Sequence, residues 1–237
     1  MATRKQRTGR RTDALSKERI VEAAVALLDA AGESGLTFKA LTERLATGPG
    51  AIYWHVANKG ELLGAATDAV VVTVLTAGPA EKAKTGTPQD EIRTVALGLF
   101  DAIGDHHWLA TQFAVQLSRA PAGPVTPLIF ETLGRQVRAM GVPRESWFTT
   151  TSALVHYILG AAGQNAANAK VAGTVTDRDE VLDATSQAWK ALDPGGYPFL
   201  HAIADQMRRH DDREQFLAGI DLVLAGITTL HPPPAAA

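Results

Sequence analysis

Between Ser16 and Val56 the chain carries three helical signals separated by only a few residues each, and that crowding constrains the fold more than any other feature of the sequence. Behind Ser16, a residue type that caps helix N-termini, Ile20, Ala24, Leu27, Leu28 and Ala31 recur at helical spacing. Gly32 follows where a helix end favours a left-handed residue. A second, short helix is predicted from Thr37, with Phe38, Leu41 and Leu45 on one face and Lys39, Thr42, Glu43 and Arg44 outside it. Thr47 is placed to cap a third helix and Pro49 suits its first turn, so Ala51-Ile52-Tyr53-Trp54-His55-Val56 is expected as a brief helix. Two short helices joined by a tight turn and supported by a longer one are the parts of a helix-turn-helix DNA reader.

The charge distribution agrees. The chain's net charge of −2 hides an asymmetry: residues 1–60 hold ten Lys or Arg against six Asp or Glu, a net of +4, and the remaining thirteen against nineteen leave −6. A basic end that meets a polyanion and an acidic body that does not is one expectation; a solvated basic tail is the other. The absence of cysteine removes disulfide frameworks, cysteine-ligated metals and thiol nucleophiles. The basic start lacks the apolar stretch of a secretory signal, and no segment reaches ~18 uninterrupted apolar residues, so a cytoplasmic protein without a membrane segment is expected.

The stretch Ala23-Ala24-Val25-Ala26-Leu27-Leu28, then Gly32-Glu33-Ser34-Gly35-Leu36-Thr37, Leu41, Leu45 and Ile52-Tyr53-Trp54-His55-Val56-Ala57-Asn58-Lys59-Gly60-Glu61-Leu62-Leu63 resembles the N-terminal domain of the tetracycline-repressor (TetR) family. The likeness runs from about Ala14 to Val74 without a gap, and Tyr53 to Leu63 is especially similar to the tetracycline-repressor branch. It implies an all-α protein: a basic arm over 1–13, a helix-turn-helix domain over 14–74, a larger helical ligand-binding and dimerisation domain over 75–230, and a tail over 231–237. It also implies a homodimer on double-stranded operator DNA, most simply a repressor released by a small hydrophobic or aromatic effector.

On DNA, Thr37 and Lys39 are expected at the groove edge, Lys39 where the tetracycline-repressor branch carries arginine, whose planar fork lysine lacks. Gly48, Pro49, Gly50 and Ala51 stand where that family presents longer or polar side chains; Pro49 and Ala51 can still touch thymine methyls. The resemblance carries Tyr53, His55 and Lys59 over as phosphate contacts, with Trp54 against the backbone and Ile52 inside the domain. The alternative for Tyr53, Trp54 and His55 is a structural cluster tying the third helix to its neighbours. With so few polar readers on that helix, Arg4, Lys5, Arg7, Arg10 and Arg11 are expected to add affinity by charge.

The rest reads as helix: about 59–76, then 88–104, 108–118, 124–140, 144–170, 178–191, 198–209 and 211–230, with loops at 78–87 and 171–177. Small residues Gly160-Ala161-Ala162-Gly163 and Ala166-Ala167, with Gly219 and Gly226 beside the last helix's apolar stripe, are expected at a four-helix dimer interface; the alternative is that both stripes face the monomer's own core. Effector candidates are the aromatic and polar residues expected to face inward: Phe100, His107, Trp108, Phe113, Gln116, Trp147, Thr151 and His156, with Phe130, Tyr157 and Gln164 behind them. Trp147, Thr151 and His156 share one long helix. No residues match the metal-chelate site of the tetracycline repressors, and neither metal nor cofactor is expected.

An enzyme would have to be built on Asp101, Asp105, His106 and His107, which read more simply as helix end and loop; no catalytic loop or metal-binding motif accompanies them. The other competing reading is a DNA-binding dimer, constitutive or activating, without ligand control.

Overall fold

The computed structural model describes residues 15–76, 86–175 and 178–232, with side chains of 170–175 excepted. The basic arm, most of the 78–87 loop and most of the tail therefore lie outside the described residues. Among those described, the regular elements are α-helices and one 3-10 turn. They form two compact units that divide between Ala66 and Thr67.

The first unit begins with α1, Lys17–Gly35, whose N-terminus is capped by the Ser16 hydroxyl accepting from the Arg19 N–H at 3.3 Å. Gly32 sits at φ 63°, so the regular helix stops there before a last irregular turn, as its glycine demands. Thr37 caps α2, Phe38–Leu45, which closes on Ala46 in the left-handed region at φ 49°. The third helix, α3, is Pro49–Tyr53, and Trp54 and His55 form a turn after it. Its cap is Gly48, without a side-chain bond. Thr47 does not cap it, because the helix starts one residue later than that role requires; the Thr47 N–H closes the turn after α2 on Thr42 O at 3.1 Å. Ile20, Ala24, Leu28, Leu41, Ile52, Val56 and Leu62 make the core of this unit.

The fourth helix, α4, is Lys59–Thr76, as its sequence predicts, and the division between the two compact units falls inside it. The helix is continuous across that point, so sequence periodicity has no break to mark it.

The second unit contains α5, Pro88–Asp105; α6, Leu109–Arg119; α7, Val125–Ala139; α8, Trp147–Val175; α9, Arg178–Lys190; α10, Pro198–Arg209; and α11, Asp212–Leu230. A 3-10 turn at Arg144–Ser146 precedes α8. Each of α5, α7 and α11 packs against α8, whose Leu154, Val155, Ile158, Ala162 and Ala166 are buried. The helix runs on to Val175, where the sequence predicts a loop from 171; no proline interrupts the alanine-rich stretch, and nothing local stops it.

The small-residue stripes divide differently from the expectation. Ala162 and Ala166 belong to the unit's own core, as do Phe216, Ile220, Leu224 and Ile227 of α11. Gly219 is intramolecular as well: a Cβ there would overlap the Tyr157 hydroxyl, which donates to Phe216 O at 3.1 Å. What the chain leaves exposed is the other side: Gly160, Gln164 and Ala167 on α8, and Ala218, Leu222, Ala225 and Gly226 on α11, with Leu222 76% exposed.

Candidate nucleic-acid interface

The first unit presents one face made by the start of α2, by α3 and by the turn that follows. Thr37 spends its hydroxyl oxygen on the Ala40 N–H at 3.1 Å and remains exposed at the head of α2. Lys39 stands out beside it, its ammonium 4.0 Å from Glu43, too loosely held in water to be occupied by that pair. Next come Gly48, Pro49, Gly50 and Ala51, all exposed. Nothing lies within 4 Å of a Cβ built on Gly48 or Gly50, so a groove wall can approach the backbone of α3 closely.

The aromatic residues split three ways. Tyr53 is half exposed, and its ring stacks on Phe38 with centroids 4.4 Å apart and planes 13° from parallel. Trp54 is 88% exposed and carries its indole into solvent. His55 is half-buried; together with Lys17 it adds to the pull that holds the Glu18 carboxyl below its ordinary value, behind the hydrogen bonds from Glu18's own N–H and from Ser16. Ile52 is fully buried, as expected for a residue inside the domain. The cluster that ties α3 to its neighbours is thus Phe38 and Ile52 with one face of Tyr53. Trp54 takes no part in the buried core.

The segment that follows does two jobs. Asn58 Oδ1 accepts from the Glu61 N–H at 2.9 Å, and Glu61 Oε2 accepts from the Ala57 N–H at 2.8 Å. This reciprocal pair satisfies amides at the head of α4. The Ala57 N–H and, less strongly, Lys17 hold the Glu61 carboxyl below its ordinary value. Lys59 donates to Glu33 O at the end of α1, which fixes its stem while leaving two ammonium protons. The sequence points to Lys59 through the motif, and misses Phe38 as the support for Tyr53 and Asn58 with Glu61 as a cap. The Asn-x-x-Glu spacing is the available signal for the cap; stacking across a turn has none.

The effector candidates lie in the second unit. Trp108 and Phe113 are buried, Gln116 turns inward from α6, and half-buried Phe100 packs on Phe216 with centroids 4.6 Å apart. Trp147 donates from Nε1 to Val142 O at 2.7 Å and has the Arg138 guanidinium 5.7 Å from its ring. With buried Thr151, Phe130 and exposed Phe148 it lines an open groove of about 270 Å³ between α7 and the start of α8. His107 and His156 do not face inward. His156 lies on the exposed side of α8 while Leu154, Val155 and Ile158 take the core side, so it is not brought together with Trp147 and Thr151. His107 follows the end of α5, where the His106 N–H closes the helix on Ala102 O at 2.9 Å, and is exposed. Among the described residues no helix is long and apolar enough to cross a membrane.

With this geometry in place, comparison with known proteins is specific. Residues 20–66 match the family described as bacterial regulatory proteins, tetR family, and residues 79–231 match the tetracyclin repressor-like C-terminal domain. The transcriptional regulator SCO7222, a TetR from Streptomyces coelicolor, shares 67% identity and superposes with a TM-score of 0.82 over 92% of this chain and 99% of that one. An HTH-type transcriptional regulator of Saccharopolyspora erythraea is 29% identical over 230 residues, covering 94% of this chain and 92% of the relative. The Streptomyces coelicolor protein ActR, solved in complex with actinorhodin, shares the fold at 23% identity and a TM-score of 0.75, over 94% and 100% of the two chains.

Proposed function

This chain belongs to the TetR family of bacterial regulatory proteins, DNA-binding transcriptional regulators rather than enzymes, and from that premise we propose that it is a cytoplasmic homodimeric repressor released from its operator by a small molecule. The observation that carries the DNA side is the exposed face of Lys39, Pro49, Ala51, Tyr53 and Trp54, held on a three-helix core whose apolar residues are sealed. Lys39, Tyr53, His55 and Lys59 supply cations and polar hydrogens for phosphates and groove edges, with Thr37 beside them, while Pro49 and Ala51 offer only apolar contact.

The exposed strip of α8 and α11 around Gly160, Ala167, Ala218 and Leu222 is the face on which two copies meet in this reading. A two-fold pair presents two reading heads to a pseudo-palindromic site. An effector acts by binding one of two conformations more tightly, and α4, continuous from the reading unit into the second, is the lever. ActR, of the same fold, was solved in complex with actinorhodin, which supports the reading that this fold takes a ligand.

The test is to select the preferred site from a random DNA pool with the full chain, then to screen compounds for release from it. A palindromic selected site and at least one compound that both raises the melting temperature and releases DNA are the expected result. Operator affinity that no stabilising compound alters would leave a constitutive DNA-binding dimer in its place.

A further inference from the structure

A second cavity, of about 550 Å³, lies where the α9–α10 hairpin meets the end of α8. None of the effector candidates read from the sequence lines it. We propose that it is a small-molecule site for a largely apolar molecule with oxygen acceptors along one edge. The proposal shares with the reading above only that this protein takes a small ligand.

The size suits that class, since small-molecule sites run from ~300 to 1,000 Å³. Its walls have two characters. Ala169, Val181, Leu182 and Met207 supply an apolar side from three helices. On the other side the donors are already oriented. Arg178 gives Nε to Asp212 Oδ2 at 3.0 Å, and Nη2 to Asp212 Oδ1 at 3.0 Å and to His210 O at 3.1 Å. Held that way, the guanidinium keeps both Nη1 hydrogens for another acceptor. Asn168 accepts at Oδ1 from Gln164 Nε2 at 3.0 Å, which leaves its own amide hydrogens. A ligand oxygen therefore meets donors without having to break the Arg178–Asp212 pair. Burial and its hydrogen bond to Asp212 oppose one another at Arg178, and the bond dominates, so the guanidinium stays charged.

The cavity sits at a joint. The α9–α10 hairpin is clasped within itself by Lys190–Asp205 at 2.6 Å, by Arg208–Asp183 and by the Arg178 bond to His210 O, and α9 reaches the remaining body by packing on α8 and by the Arg178 pair with Asp212. A molecule that fills this root touches the braced hairpin and the end of α8 at once.

The absence of cysteine makes the test clean. In the full chain, Thr185→Cys places a unique thiol on the cavity wall, and in a separate variant Thr94→Cys places one on the exposed side of α5 as a control. The probe is 1-anilinonaphthalene-8-sulfonate, an apolar ring system with an acceptor edge. Saturable fluorescence binding is expected, with maleimide labelling slowed about fivefold or more in Thr185→Cys and unchanged in Thr94→Cys, as for a site that buries most of its ligand. Leu182→Trp, which fills the cavity, is expected to weaken probe binding by about tenfold or more at unaltered helicity. No saturable binding, or binding that leaves the cavity-wall thiol as reactive as before, overturns the site. Operator release is read separately in the compound screen, so failure there counts against the effector reading and leaves the protection result standing.

Discussion

The ring of Tyr53 lies nearly parallel to that of Phe38 at 4.4 Å, so a residue of the proposed DNA face is aimed by one from the preceding helix. Such a pair contributes roughly 0.5–1.5 kcal/mol beyond its buried area. Tyr53→Phe keeps the stack and is expected to leave the melting temperature unchanged while lowering operator affinity through the lost hydroxyl alone. Phe38→Ala removes the support and is expected to lower both. Thermal melts and fluorescence anisotropy on the selected operator separate the two; equal affinities for Phe38→Ala and the parent would show that Tyr53 needs no aiming.

Lys39 and the basic arm are expected to differ in how salt affects them. If Lys39 neutralises one phosphate, Lys39→Ala lowers the slope of log affinity against log salt by about 0.9 and affects all sequences alike. A guanine contact instead relaxes preference at one base pair. Removing residues 1–11 takes away Arg4, Lys5, Arg7, Arg10 and Arg11, and is expected to reduce affinity and to flatten the slope by more than the single substitution. Unchanged affinity at two salt concentrations would put the arm off the DNA.

At the head of α4, Asn58→Ala removes a cap and is expected to cost about 1 kcal/mol. Its partner Glu61 gives the pH dependence. The Ala57 N–H and Lys17 depress the folded-state pKa of Glu61, as Thr87 depresses that of Asp90 at the head of α5. A carboxyl with a lowered folded value adds stability that is complete above its ordinary range and is lost as pH falls through the lowered one. The parent's melting temperature should therefore drop more steeply than that of Glu61→Gln below about pH 5. Parallel curves in differential scanning calorimetry would mean that the cap is not retained in solution.

Gly219 accommodates Tyr157 at a contact no methyl group can share. Gly219→Ala is expected to destabilise the second unit by about 1–3 kcal/mol, as overpacked cores do. In Tyr157→Ala that cost should vanish, making the double variant no less stable than Tyr157→Ala alone. Additive losses in urea unfolding would show that the clash lies elsewhere.

How much of this is legible in the sequence depends on the range of the interaction. Local signals serve well: Ser16 and Thr37 cap the helices they precede, Gly32 adopts the left-handed backbone, and α4 and α10 have the limits their sequences predict. Thr47 misleads because the cap position falls one residue later, at Gly48, a boundary shift that residue preference alone does not resolve. The last helix's apolar stripe is visible in the sequence but could equally face its own core, and it does; a stripe's direction is a tertiary fact. The inward set fails at His156 because its position falls out of helical phase with Leu154, Val155 and Ile158, which take the core side. The cavity under α9 and α10 is invisible for the same reason as the Tyr53 stack, since its walls come from segments distant in sequence.

Gly48 and Gly50 leave the leading edge of α3 bare, with open space where their side chains would begin. Serine, asparagine or arginine at either position meets no other atom of the chain where its side chain begins. If the proposed face reads DNA, that bare end is vacant coding capacity: a polar side chain placed there trades the close backbone approach for a new contact, and the parent's affinity is the baseline against which the trade is counted.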